Sequence, residues 1–507
     1  MTTPELAGGA ERERRRWFAA AAVTALAALV RLLFAARLPL FPDETYYWEW
    51  SRRLAPGYFD HPPMIALLIR AGTALGSSSP LAVRFFSVLA GAVASFATAG
   101  IAWRLAGGAA AVRAAVILAL LPLVASGLVL ATPDAPLLAA SAVGLYCVVR
   151  ALQSPVRSWG SLAWWSAAGI SLGLAFASKY TSILLPLTIT AAVLVRPSLR
   201  ARLREPGPYV ACMLATLVFL PVVRWNAAHD WISFTFQIQH GLGTPRGSPF
   251  KRELDLLGGQ LGLVSPILFV LMAHAVWRTL CRPLDDARFA LAVVAVGSWV
   301  FFVYSASRRS VEANWPAPSY VPGVALLAAL AVTAGYQAWL RRGVALAALL
   351  VAVLYLHALV PVLPLPARRD PLARNAGWDG VAARVREARA LVAGRSWAGA
   401  ARYQDVSELA WHLRGDSAIC TCLRGRRSQY ELWPSFPQLA SAGDALVLAL
   451  DERPAGTTHE DVAALAPFFS RVTRGALAPQ LRGTDTVSVR RIWTLEGYRS
   501  GWPPRAE

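Results

Sequence analysis

Charge is scarce in this chain. Of its 507 residues only 16% are charged, and lysine is nearly missing, with Lys179 and Lys251 the only two. Soluble domains carry about 25% charged residues. With 56% of residues hydrophobic and a mean hydropathy of +0.44, an ordinary soluble domain is excluded, and a polytopic membrane protein is expected. Cysteine is sparse too: the five cysteines show no metal-ligand spacing, and Cys147 and Cys212 lie in apolar runs as packing residues. Acidic residues are outnumbered, 30 against 50, for a net charge of +20. The arginines, however, cluster between apolar runs. That is the positive-inside pattern, so no nucleic-acid partner is expected. No solenoid period and no repeat of one half by the other is visible.

What the chain has is long apolar runs. At about 20 residues per span, about eleven helices are expected, near 17–39, 80–104, 109–131, 134–152, 162–178, 181–196, 208–224, 255–278, 287–305, 318–339 and 343–363. Glu11-Arg-Glu-Arg-Arg-Arg16 before the run from Trp17 resembles a signal peptide. No small-residue cleavage site follows and the run is long enough to span, so a retained first helix is expected. The segment 62–75 is short and opens on Pro62-Pro63, as an interfacial helix would.

Arginine-rich connections (Trp103 to Arg113, Arg150 to Arg157, Arg196 to Arg204, Arg278 to Arg288, Arg341-Arg342) belong inside, and those rich in acidic, aromatic and His residues belong on the opposite side. The expected protein is a multi-pass protein of the cytoplasmic membrane with its N-terminus inside. Residues 1–16 form a cytoplasmic tail, and 17–363 an all-α polytopic membrane domain with outer loop 40–79. Residues 364–507 form a small C-terminal α/β extracytoplasmic domain. In the latter, Gly377-Trp-Asp-Gly380 starts a helix ending near Val392. Strands are expected over 398–403, 417–423, 445–450 and 487–495, with a helix over 405–413. Cys420 and Cys422 share a strand face, where a disulfide so close along an extended strand is disfavoured.

The stretch Leu40-Phe-Pro-Asp-Glu-Thr-Tyr-Tyr-Trp-Glu-Trp-Ser51, with Tyr58-Phe-Asp-His-Pro-Pro63, concentrates Asp43, Glu44, Glu49 and Asp60 among aromatics. Asp43 and Glu44 point about 100° apart on a helix start, so one can face a reacting hydroxyl while the other holds structure. Asp43 reads equally as the N-cap of a helix over 44–54. Tyr46 and Tyr58 would shape the site. Asp60-His61, on a stiff Pro-flanked corner, could share a divalent metal with His229 or His240, or His61 could simply hydrogen-bond locally. Lys179, beside Tyr180 in a very short turn between spans, suits a lipid phosphate, against plain snorkelling. Arg308 and Arg309 are similar but less specific. Asp134 in Thr132-Pro-Asp-Ala-Pro136 is a helix-start or a site residue. Asn314-Trp-Pro-Ala-Pro318 reads as an interfacial helix start.

Taken in order, the Asp43-Glu44 loop, Tyr-Phe-Asp-His-Pro-Pro, Thr-Pro-Asp, Ser-Lys-Tyr-Thr and Asn-Trp-Pro-Ala-Pro resemble bacterial membrane glycosyltransferases of the GT-C fold. The nearest group is family-39-like, with protein O-mannosyltransferases, lipid A aminoarabinose transferases and the Rgt galacturonosyltransferases. The resemblance covers residues 17–363, and Arg402-Tyr-Gln-Asp-Val-Ser-Glu-Leu-Ala410 with Gln429-Tyr-Glu-Leu-Trp-Pro434 is similar to some members' outer domains. It implies sugar transfer from a polyprenyl-phosphate donor to an envelope acceptor (lipid, glycan or protein), with Asp43 as general base. Where aminoarabinose transferases carry Glu-Lys at the corner, this chain has Asp60-His61, which moves the phosphate role of His61 toward Lys179. A transporter or flippase for a lipid-linked substrate is the alternative, and a non-catalytic sensor or scaffold acting through 365–507 is a third reading. Transporters tend to place ionisable groups near the midplane on repeated halves, and neither is visible here.

Overall fold

The structure, a computed structural model, describes residues 3–245, 247–330, 334–414, 416, 418–454 and 457–506. It divides into two compact units, Met1–Arg37 with Leu54–Leu359, and Leu38–Arg53 with Val360–Glu507. The loop 40–79 is therefore split. Its first half belongs to the C-terminal unit and not to the membrane unit.

The membrane unit is all-helical. Among the described residues, six helices are long and apolar enough to cross a membrane: Gly9–Arg37, Pro80–Ala106, Asp134–Gln153, Gly207–Ala227, Asp286–Arg308 and Gly335–Leu359. Counting each sharply bent pair as one span raises the number to eight, against the eleven expected. Hydropathy counts apolar residues but does not see breaks. The expected span 255–278 is two helices, Pro249–Val264 and Pro266–Cys281, bent by 102° where Ser265 takes φ 74° and Pro266 removes an N–H. The run 109–131 stops as a helix at Leu120, ahead of Pro122. Arg341-Arg342, expected as a connection, lies inside the helix Ala334–Leu359, with the Arg342 guanidinium 4.8 Å from the Trp339 ring. Part of the expected tenth span, residues 331–333, lies outside the described residues.

Small residues let these helices approach, as association without a hydrophobic driving force requires. A Cβ on Gly169 in Trp159–Phe176 would sit 2.5 Å from the Ala211 Cα in Gly207–Ala227. The core is a contiguous set of Leu, Val, Ile and Ala that includes Leu118, Leu145, Leu291 and Leu327.

The second unit is built on a five-stranded sheet of order β2-β1-β3-β5-β4. Its strands are β1 (Ser396–Ala400), β2 (Ile419–Cys420), β3 (Ala445–Asp451), β4 (Phe469–Arg482) and β5 (Asp485–Tyr498). β1 pairs in parallel with β2 and β3, and β5 pairs antiparallel with β3 and β4. Trp378–Ala390 starts at Gly377 with φ 78°, where a Cβ would also collide with the Leu481 backbone, so only glycine fits. β4 is unforeseen in the sequence because Gly475 and Pro479 interrupt it. Both are tolerated since β4 is an edge strand. Cys420 and Cys422 are bonded, with Cα atoms 5.1 Å apart. The objection to that pairing assumed a strand over 417–423, but β2 ends at Cys420, and Cys422 turns away with φ 51°.

Tyr403–His412 carries a buried polar line. His412 Nδ1 lies 2.8 Å from Asp379 Oδ1, and its Nε2 3.5 Å from Glu408 Oε2. Burial, reinforced by Asp405 and Glu44 against the opposing pull of His412, pushes Glu408 up to about 7. Burial works against a charged His412, but Glu408 and then Asp379 hold it above its ordinary value. Both groups bind protons more tightly folded than unfolded. Their contribution is therefore full below the unfolded carboxyl value and lost as pH rises through about 7. The thermal midpoint of the second unit, followed by tryptophan fluorescence of the full-length protein, should fall from pH 5 to pH 8. At 1.36 kcal/mol per unit, Glu408 supplies at most about 3 kcal/mol of this. Glu408→Gln should flatten the slope; a slope that persists in this variant rejects the assignment.

Candidate active-site residues

The helix Pro42–Arg52 begins with Pro42 after an N-cap at Phe41. Asp43 is therefore a first-turn residue and not the cap. Glu44, at the third helical position, returns its Oε2 to the Phe41 N–H at 3.0 Å and is fully buried. This capping contact gives Glu44 a structural role, so of the two expected catalytic carboxylates only Asp43 is exposed. Asp43 Oδ1 accepts a hydrogen bond from the Tyr403 hydroxyl at 3.2 Å. Burial and then the Asp43 charge push the Tyr403 phenol upward, so it stays protonated and donates. Tyr46, expected to shape the site, packs inside the second unit. It is buried, its hydroxyl accepts from the Gln429 N–H at 2.6 Å, and its ring lies 4.6 Å from that of Tyr403.

In the membrane unit, three expected motifs meet. Lys179 Nζ lies 2.7 Å from Asp134 Oδ1, and Asn314 Nδ2 donates to Asp134 Oδ2 at 2.8 Å. Trp315 adds its ring 5.9 Å from the ammonium. Thr-Pro-Asp, Ser-Lys-Tyr-Thr and Asn-Trp-Pro-Ala-Pro thus converge at the starts of their helical segments. Asn314, set aside in the sequence as a helix-start residue, is part of the cluster; its position as a polar side chain in a Pro-flanked start was the available signal. Lys179 is not an isolated cation. Asp134 takes one of its three N–H donors and counters its charge.

The corner 58–63 is internally tied. The Tyr58 hydroxyl accepts from the Ala55 N–H at 3.0 Å and the side chain is buried, so Tyr58 shapes the corner from within. Asp60 is buried, and its carbonyl accepts from Gln237 Nε2 at 2.6 Å. Burial, then Lys179 and His240, lower His61 well below its ordinary value. A neutral imidazole can donate a hydrogen bond to a phosphate but brings no charge.

Tyr180 joins Ser233 at 2.9 Å and accepts from Asn226 at 3.3 Å, which makes it a staple between helices. Arg308 donates Nε to the Leu242 carbonyl at 3.1 Å. Arg309 packs over Gly243, and its charge acts on His240. Arg252, unforeseen, donates to the Ala306 and Ser307 carbonyls at 2.8 and 2.6 Å, at the negative end of Asp286–Arg308.

The metal expected on Asp60, His61 and His229 does not fit. His229 Nδ1 is 2.8 Å from the Trp225 carbonyl, and its ring stacks on Trp225. Among the described residues, no three His, Cys, Asp or Glu side chains converge as a metal site.

Across 93% of this chain and 97% of the other, the fold superposes on ArnT from Cupriavidus metallidurans bound to undecaprenyl phosphate, with a TM-score of 0.66 at 17% identity. The chain has the ArnT fold. The apo form of ArnT gives 0.62 over the same shares. With this fold the chain is a multi-pass membrane protein with a C-terminal mixed-sheet domain. Residues 60–225 match the dolichyl-phosphate-mannose-protein mannosyltransferase family, so the resemblance seen in the motifs holds there. That segment contains Asp60, His61, Asp134 and Lys179 but not Asp43. The lipid A galacturonosyltransferase RgtD of Rhizobium johnstonii is 31% identical over 289 residues, 56% of this chain and 59% of that protein. The chain thus spans about 59% of the length of this curated relative.

Proposed function

We propose that the chain transfers a sugar from a polyprenyl-phosphate donor to an envelope acceptor at the outer face of the cytoplasmic membrane. The observation that carries this reading is Asp43, an exposed carboxylate in a helix first turn, held by a phenol and relieved of capping by Glu44. Support comes from the likeness to an ArnT structure with undecaprenyl phosphate bound and from the mannosyltransferase match.

In this reading Asp43 takes the acceptor hydroxyl's proton as its oxygen attacks the anomeric carbon. The bond to the carrier phosphate breaks with its electron pair on the phosphate, so no general acid is needed and the configuration inverts. Within the membrane unit, Lys179 offers a carrier phosphate the N–H donors that Asp134 does not use, and Arg308 and Arg309 add positive charge. His61 contributes as a neutral donor. The relation to RgtD makes a lipid A-type acceptor the first to test.

The test is mass spectrometry of envelope lipids and glycans from cells with and without this chain. A sugar lost from one envelope component names donor and acceptor together. The bent pairs near Ser265 and Arg196 are features transporters share. Unchanged envelope chemistry with lost movement of a lipid-linked sugar would therefore favour a flippase.

A further inference from the structure

Tyr403 lies 360 residues from Asp43 in sequence, and the stretch Arg402–Ala410 that contains it gave it no role. The second unit nevertheless presents it from a fixed frame. It opens the helix Tyr403–His412, whose first turn is tied down through Asp405. That carboxylate receives Arg402 at 3.0 Å and Arg490 of β5 at 3.0 Å, and Arg490 in turn lies 4.0 Å from the Trp378 ring. The Tyr403 ring is held by Tyr46 at 4.6 Å on one contact and by the Arg426 guanidinium at 5.1 Å on another.

The helix bearing Asp43 is clamped to the same frame. Thr45 donates to Ser407 at 3.0 Å, Ser407 reaches the Pro42 carbonyl at 3.2 Å, and the Tyr46 hydroxyl accepts from the Gln429 N–H at 2.6 Å. Trp48 meets Trp411 edge-on at 5.0 Å. The two partners of the Tyr403–Asp43 hydrogen bond are thus each fixed by several contacts within one unit.

We propose that Tyr403 is a positioning residue for Asp43: its hydroxyl fixes the carboxylate's rotamer and thereby aims the base at the acceptor hydroxyl. The inference rests on the reading of Asp43 as the base. It gives the C-terminal unit a part in the chemistry, since the group that orients the base opens one of that unit's helices. A base held in one rotamer loses no time in unproductive orientations, and a displacement of about 1 Å can cost on the order of a hundredfold in rate. The charged and titratable groups around the contact are Glu44 on the carboxylate's own helix, Tyr403 and Arg402 on the facing helix, and Arg426 on the neighbouring loop.

Tyr403→Phe in the full-length protein tests this, because the ring and its contacts stay while the hydroxyl goes. Two readouts separate the inference from the reading beneath it. The first needs no turnover: carbodiimide labelling of Asp43, followed by peptide mass spectrometry across pH. Loss of a donor to the carboxylate should extend labelling to higher pH. The second is the appearance of the modified envelope component in cells lacking the native gene product, expected to slow about tenfold or more. Binding of undecaprenyl phosphate, read by tryptophan fluorescence, should stay within twofold. Unchanged labelling with unchanged transfer overturns the proposal, as does a loss of transfer explained wholly by weaker carrier binding. If Tyr403→Phe does not fold, a ring-fluorinated tyrosine at position 403 replaces it. Its more acidic phenol should move labelling toward lower pH, and no movement overturns the proposal. Full transfer by Asp43→Asn removes the base itself and the inference with it, a result distinct from any obtained with Tyr403→Phe.

Discussion

Asp43→Asn should abolish detectable sugar transfer while leaving a folded, membrane-inserted protein. The change is isosteric: the amide oxygen can still accept the Tyr403 hydroxyl, and the capping of Phe41 by Glu44 is untouched. What is lost is the ability to take a proton, worth about 10²- to 10⁴-fold for a positioned general base. Glu44→Gln is the matched control. Its side-chain oxygen can still accept from the Phe41 N–H, as Gln does in a capping box, so transfer should stay near the unaltered rate. The measurement is the rate of product appearance by mass spectrometry, with the thermal midpoint as a check on folding. Substantial transfer by Asp43→Asn, or an equal loss in Glu44→Gln, sinks the assignment of the base to Asp43.

The contrast between these neighbours shows where sequence reasoning reached and where it stopped. Pro42 followed by two carboxylates marked a helix start correctly, and adjacency predicted separate roles. Which carboxylate caps depends on the N-cap lying at Phe41, a one-residue matter that propensity does not decide. Long apolar runs revealed a polytopic protein but overcounted its spans, because periodicity does not register a bend such as the one at Ser265. β4 stayed hidden since an exposed edge strand needs no apolar pattern. The cluster of Asp134, Lys179 and Asn314 was half legible: each residue stood out in its own motif, but their convergence is a tertiary fact. Tyr403 stood in a stretch that was noticed, Arg402–Ala410, but nothing local to it announces a partner near the other end of the chain.

That cluster carries the second large effect. Lys179 and Asp134 are 8% and 14% exposed and 2.7 Å apart. Such a pair adds little over apolar packing when intact, but breaking it strands a buried charge at about 3–5 kcal/mol. Asp134→Ala should therefore lower the thermal midpoint sharply and remove transfer, since Lys179 loses the group that orients it. Among the described residues, Lys179→Met leaves Asp134 with only the Asn314 amide and should be destabilising for the same reason. The informative variant is the double, Lys179→Met with Asp134→Leu. With both charges gone there is nothing to strand, and much of the stability should return, while transfer should not, because the ammonium proposed to face the phosphate is gone. A double variant that is stable and active would make the pair purely structural and move the phosphate role to Arg308 and Arg309. A double variant no more stable than the singles would mean that the stranded charge is not what the single substitutions cost. The cycle thus separates what Lys179 does for the fold from what it does for the reaction, which neither single substitution can do.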